Sequence, residues 1–161
     1  MKIAIVSDTH SRYPTVAKAL AVLQAQKINQ ILHCGDIEDS ETVFLFQGFT
    51  THFVLGNCDT DRTSLARAIK EIGGTLQEPF GDLEIANHKV AWIHGDNKRL
   101  FQDVERSGHF DYLFYGHTHQ AEQHRTGPTR VVNPGALHRA NVKTFVILDF
   151  DTGSLETVAV L

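Results

Sequence analysis

The chain has 161 residues, enough for one domain with a substantial core. Fifteen Lys and Arg against nineteen Asp and Glu give a formal charge of −4, and the basic residues are scattered, so no nucleic-acid-binding signature is present. No apolar run exceeds five residues (Ala19–Leu23), which excludes a membrane helix, and the short run Ile3–Val6 is not a secretory pattern; with only 2 Cys, a reducing, cytoplasmic setting is expected.

The first element, Lys2–Ser7, is a short and nearly continuous apolar run, as in a strand buried on both faces. Pro14 suits a first helical turn, and Val16, Leu20 and Leu23 follow at i, i+4 and i+7. Ile31-Leu32 predicts a second strand, ending at His33-Cys34-Gly35-Asp36, and Ser40 is the expected cap of a short helix carrying Val43 to Phe46. A third strand, His52–Leu55, ends at Gly56-Asn57-Cys58-Asp59; Leu65, Ala68, Ile69 and Ile72 then mark a helix stopped by Gly73-Gly74. Asp82–Ala86 and Lys89–Ile93 are expected to form a hairpin about Asn87-His88. A helix over Lys98–Arg106, a strand over Asp111–Tyr115 and a closing hairpin (Thr144–Phe150 with Leu155–Val160) complete the chain. The first half is therefore βαβαβ and the second richer in antiparallel strands, which predicts a layered α/β domain with a mixed sheet or two packed sheets.

Polar residues collect where five strands end. Asp8-Thr9-His10, Gly35-Asp36, Gly56-Asn57, His94-Gly95 and His117-Thr118-His119 each follow a strand-like run. Carboxyl ends of strands are where loops of an open α/β sheet converge on ligands. Asp, His and Asn supply the oxygen and imidazole donors that suit divalent transition metals. In extended backbone, residues i and i+2 share a side, so Asp8 with His10, and His117 with His119, are expected to face one cation each. Singly, Asp8 is an ordinary helix cap and Asn57 an ordinary turn residue; turn chemistry does not explain the histidines. Seven donors exceed one tetrahedral zinc and suit two metals bridged by Asp36.

This ordered set resembles the calcineurin-like metallophosphoesterase superfamily, whose pattern is Asp-x-His, Gly-Asn and Gly-His-x-His with Gly-Asp and a lone His between. The match runs from residue 8 to 119 and on into Asn133-Pro134-Gly135. With Gly-Asn-Cys-Asp and the short length, it is most similar to the small prokaryotic phosphodiesterase branch. The resemblance implies an α/β fold, a four-layer αββα sandwich of two mixed β-sheets flanked by helices, spanning residues 1–161 as one domain. It implies that Asp8, His10, Asp36 and His119 hold one divalent ion and that Asp36, Asn57, His94 and His117 hold another. Manganese is the first expectation, with iron, zinc or nickel as alternatives. The implied activity is hydrolysis of a small-molecule phosphodiester by in-line attack of a metal-bridging hydroxide, with Asn57 orienting the phosphate. A homodimer is implied in the same way.

Two departures stand out. Many relatives carry His after Gly-Asn as leaving-group acid; here it is Cys58, whose thiol is the candidate donor beside its ordinary reading as a packing residue. Relatives often have His-Gly-His where this chain has His94-Gly95-Asp96. Arg139 is a candidate substrate contact. The other histidines, among them His33 and His138, carry no expected role. Rival readings are a phosphomonoesterase or nucleotide phosphatase with the same metals, and a non-catalytic scaffold on the same fold.

Overall fold

The computed structural model describes residues 1–161, as eleven strands and four helices. Strand β1 (Lys2–Val6) pairs in parallel with β2 (Gln30–His33), which pairs in parallel with β3 (Thr50–Phe53) and that with β4 (Thr75–Leu76). On its other side β1 pairs antiparallel with β10 (Thr144–Asp149), which is edged by β11 (Ser154–Ala159). The second sheet runs β5-β6-β7-β9-β8. In it β6 (His88–Ile93), β7 (Tyr112–Tyr115) and β9 (Thr129–Asn133) are mutually parallel, and β5 (Gly81–Ile85) and β8 (Glu122–Thr126) are antiparallel edges. Both sheets are thus mixed.

Period-two alternation assigns each strand's side chains to different layers. From β1, Ala4 and Val6 face a core shared with α1 (Tyr13–Ala25), α2 (Ser40–Leu45) and α3 (Arg62–Glu71), whereas Ile3 and Ile5 face the other sheet. There they join Trp92, Phe114 and Val132, and Cys34 lies fully buried in the same intersheet core. Ile93, Leu113 and Val131 face outward against Val104 of α4 (Lys98–Arg106). The order is helices, sheet, sheet, helix: the four-layer αββα arrangement.

Three local expectations need correction. The cap of α2 is Asp39 rather than Ser40, because its carboxylate accepts both the Thr42 N–H (2.8 Å) and the Thr42 hydroxyl (2.7 Å). The β5–β6 turn is Ala86-Asn87, with φ of 50° and 63°, the left-handed pair that a two-residue hairpin demands. The β8–β9 hairpin has no counterpart in the sequence pattern: Glu122 to Arg125 are exposed and polar, which hides any alternation. Its consequence is functional, since β9 lies parallel to β7 and its carboxyl end delivers Asn133 to the loop that follows β7.

Candidate metal centre

The loops leaving these strands are stitched to one another by backbone hydrogen bonds. Asp8 N–H donates to Gly35 O (3.0 Å), His10 N–H to Asp36 O (3.1 Å), Gly116 N–H to His94 O (3.0 Å) and Leu137 N–H to Ser7 O (3.3 Å). The ligating atoms of Asp8, His10, Asp36 and His119 all lie within 4.8 Å of one another. His119 Nε2 is 3.1 Å from Asp8 Oδ1 and 3.4 Å from His10 Nε2. Beside them, His94 Nε2 lies 3.0 Å from Asn57 Oδ1 and 3.4 Å from Asp36 Oδ2. Asp36 Oδ2 is also 3.5 Å from His10 Nε2, so one carboxylate oxygen faces both groups. The exposed His117 packs its ring edge-on to His94, with centroids 5.2 Å apart.

Each carboxylate divides its two oxygens between structure and site. Asp8 Oδ2 accepts from the Ser7 hydroxyl (2.6 Å) and the His117 N–H (3.1 Å), whereas Oδ1 is buried with no hydrogen-bond partner. Asp36 Oδ1 accepts from the Cys58 N–H (2.9 Å), leaving Oδ2 to the imidazoles. The imidazoles are similarly fixed. His94 Nδ1–H donates to Cys34 O (2.9 Å) and His10 Nδ1–H to Glu38 Oε1 (2.6 Å), which turns both Nε2 lone pairs inward. An orphaned buried carboxylate oxygen and inward lone pairs from two loops are what a cation requires, and the residues present fit one.

The electrostatics agree. Burial pushes the Asp8 carboxyl up, but the His10 and His119 rings facing it and the Ser7 hydroxyl hold it well below the usual range. Burial pushes His94 down, yet the neighbouring Asp36 carboxylate outweighs it and raises the ring to about 9. Asp8 raises His119, and Asp8 with Glu38 raises His10 against burial. Without a metal these carboxylates draw protons onto the rings, and a divalent cation meets the same demand.

The i, i+2 argument from extended backbone is overturned. Asp8 (φ 53°), His10 (40°), Asp36 (57°), His117 (67°) and His119 (59°) are all left-handed. Tight left-handed turns, not a continuing strand, aim these side chains: Asp8 and His10 come to one side, whereas His119 joins that pair and His117 lies against His94; Asp and His tolerate that region better than most residues. Two glycines make room for this crowding: a Cβ on Gly56 would sit 2.2 Å from Asp36 Oδ1, and one on Gly116 1.9 Å from the Ser7 hydroxyl.

Of the remaining candidates, Cys58 lies at the edge, its thiol 3.6 Å from Asn57 Nδ2 and raised to about 11 by burial and the nearby Asp36. Arg139 is exposed on the rim, where its backbone hydrogen-bonds His119. Asp96 is exposed and lines a cleft of about 660 Å³ that opens beside Asn57 and His94 and reaches Arg62 and Leu100.

Sequence reasoning missed the residues that hold the loops. Buried Asp59 accepts four backbone N–H groups, from Asp36 (2.9 Å), Ile37 (2.7 Å), Glu38 (2.7 Å) and Gly56 (2.7 Å), tying the β2 loop to the β3 loop. His33, expected to be idle, accepts from the Gly35 N–H (3.1 Å) and lies 3.2 Å from the Thr9 hydroxyl; burial lowers it to about 3, so it stays neutral. Asn133 donates to Gly116 O (2.9 Å) and to the Thr118 hydroxyl (3.0 Å), fixing the His117–His119 loop. The sequence signal is weak: His33 and Asn133 each lie two residues before a glycine, and Asp59 lies two residues after Asn57.

Comparison with known proteins places this geometry in context. A family model described as the calcineurin-like phosphoesterase superfamily domain matches residues 1–153. Phosphodiesterase MJ0936 of Methanocaldococcus jannaschii is 29% identical over 154 residues, covering 92% of this chain and 93% of its own. A solved archaeal phosphodiesterase superposes with a TM-score of 0.91 at 27% identity, covering 99% of both chains. Zinc-complexed Vps29 of Entamoeba histolytica superposes at 0.68 with 19% identity, covering 99% of this chain and 98% of its own, a likeness of fold alone.

Proposed function

The chain belongs to the calcineurin-like phosphoesterase superfamily, and from that premise we propose that residues 1–161 form one cytoplasmic phosphodiesterase domain working with two divalent cations, manganese foremost. The observation that carries this reading is Asp36 Oδ2, 3.5 Å from His10 Nε2 and 3.4 Å from His94 Nε2, a carboxylate oxygen shared by two donor groups. Asp8, His10, Asp36 and His119 would hold one ion, and Asp36, Asn57, His94 and His117 the other. When bound, such ions withdraw charge from phosphoryl oxygens and bring the pKa of water from 15.7 to about 7. A donor set of oxygen and imidazole without thiolate accepts manganese, iron, zinc or nickel alike, and manganese is put first on the family resemblance alone.

The chain's own residues do the rest. Asn57, with its oxygen toward His94 and one amide N–H toward the Cys58 thiol, has its second amide N–H to orient a phosphoryl oxygen. Cys58, at about 11, keeps its proton at neutral pH and would be the group to hand it to a departing alkoxide, and a thiol that holds so firmly is a reluctant donor. A diester brings two organic groups, and the cleft of about 660 Å³ beside Asn57 and His94 has room for one of them.

The test combines metal analysis with a manganese-supplemented panel of aryl phosphomonoesters and phosphodiesters. Two ions per chain and faster diester hydrolysis are expected. Asp36→Ala should lower turnover by roughly 10³-fold or more, as when several kcal/mol of transition-state stabilisation are lost. Retained activity in that variant overturns the two-ion reading, and monoester preference overturns the substrate class.

A further inference from the structure

Two side chains on the rim of the metal centre have no part in the preceding account. Arg12 follows His10 by two residues, and His138 lies in the loop after β9, yet Arg12 Nε donates to His138 Nδ1 at 3.0 Å. The contact is held in place from below, since the Leu137 N–H donates to Ser7 O and the Leu137 side chain is buried. The His138 ring stands edge-on to His10, with centroids 5.7 Å apart at 63°. His10 Nε2 is itself one of the inward-facing donors.

The chemistry of the contact sets what His138 has to offer. A ring nitrogen that accepts from a guanidinium carries no proton, so the imidazole proton is on Nε2, and Nε2–H is the donor left for a ligand. Neither Arg12 nor Arg139 forms an ion pair with any carboxylate. Glu38, the carboxylate whose charge His138 feels, is engaged by His10 at 2.6 Å. An exposed guanidinium–imidazole hydrogen bond contributes little to stability, and crowding two uncompensated guanidinium groups beside an imidazole is unfavourable until an anion arrives. Position 58, where many relatives supply an imidazole, gives a thiol here, on the same His10–Glu38 side of the centre.

We propose that Arg12 and His138 form an oxyanion clamp, in which Arg12 orients His138 so that Nε2–H donates to a non-bridging oxygen of the bound phosphoryl group. His138 is then a substrate-binding residue and Arg12 a positioning residue acting through it. The clamp returns an imidazole to the substrate's side of the centre from a different loop. It rests on the phosphoesterase reading given above, and it adds two residues that the ligand set does not include.

The test is a double-mutant cycle on the manganese-loaded protein, with inorganic phosphate as probe and calorimetric affinity as readout, beside steady-state kinetics on an aryl phosphodiester. Manganese content is measured in every sample to separate loss of phosphate from loss of metal. A hydrogen bond to a charged group sets the scale, so His138→Ala should weaken phosphate binding and raise KM by about 10- to 100-fold. Arg12→Ala should weaken binding less, and the double variant should be no weaker than His138→Ala alone, because Arg12 works through the ring. His138→Gln, whose amide N–H can reach the Nε2 position, should recover most of the loss. Phosphate affinity unchanged in His138→Ala, fully additive losses, or no recovery by glutamine would each overturn the clamp. A wild-type protein that binds phosphate and turns over ester keeps the proposed function intact in those cases; one that does neither removes both.

Discussion

Replacing Asp59 by Asn tests the frame of the site without touching a ligand. The carboxylate accepts N–H groups from Asp36 and Gly56 on Oδ2 and from Ile37 and Glu38 on Oδ1, all between 2.7 and 2.9 Å. Asparagine keeps the size and one acceptor, but its NH2 group must then face two N–H donors. Hydrogen bonds to a charged acceptor contribute about 1.5–3 kcal/mol each, so two lost bonds set a ceiling of about 3–6 kcal/mol. Part of that returns, because burying the charge is unfavourable: burial raises the Asp59 carboxyl above its ordinary value even though the backbone N–H groups pull it down. A net loss of about 2–4 kcal/mol remains, which for a chain of this length lowers Tm by roughly 5–15 °C. Thermal unfolding of the metal-free variant measures this directly. Manganese titration should show about 10- to 100-fold weaker binding, since the backbone beneath Asp36 is no longer held. A variant with wild-type Tm and wild-type manganese affinity would show that the four N–H contacts do not hold the loops.

Further outcomes follow from the same geometry. Gly56→Ala places a Cβ 2.2 Å from Asp36 Oδ1 and 2.9 Å from its Cγ, so manganese affinity should fall at least about tenfold; unchanged affinity would mean the carboxylate moves freely. In the metal-free protein His94 is raised to about 9, so its contribution to stability is complete below the unfolded value near 6.5 and is lost as pH rises through 9. Denaturant unfolding should therefore give lower stability at pH 9.5 than at pH 6.5, while manganese affinity rises over that window as the metal displaces fewer protons; flat profiles would contradict this. If Cys58 donates the leaving-group proton, Cys58→Ala should slow alkyl diesters more than aryl diesters, and equal slowing would refute the role.

The parts of this molecule that were legible in the sequence are those with a strong periodic or chemical signal. Ile3–Val6 and Ile31-Leu32 read as buried strands because both of their faces meet apolar layers. The seven donors read as a group because each follows such a strand. What stayed hidden depends on contacts that leave no pattern along the chain. Glu122–Thr126 is held at a sheet edge by backbone pairing and polar side-chain contacts, such as Arg130 to Gln123 (2.8 Å), with no apolar alternation along it. Asp59, His33 and Asn133 act on backbone groups, and any short stretch of turn sequence contains residues of those types. The left-handed turns at Asp8 and His117 likewise fall on residues other than glycine, so their conformation is not announced by residue type.

Those hidden features explain why the donor side chains converge on one place rather than standing apart. A left-handed non-glycine residue costs about 1 kcal/mol or more, so five of them in one place persist only under firm external constraint. Asp59 supplies that constraint for the β2 and β3 loops, Asn133 for the β7 loop, and the His33–Thr9 contact for the β1 loop. The constrained backbone then fixes one oxygen of Asp8 and one of Asp36, which determines where the second oxygen of each must point. With Nδ1 of His10 and His94 likewise engaged, the remaining donor atoms converge before any cation is present. Metal binding therefore meets a preorganised set, and the free energy it would otherwise spend on ordering loops is available for affinity and for polarising the phosphoryl group.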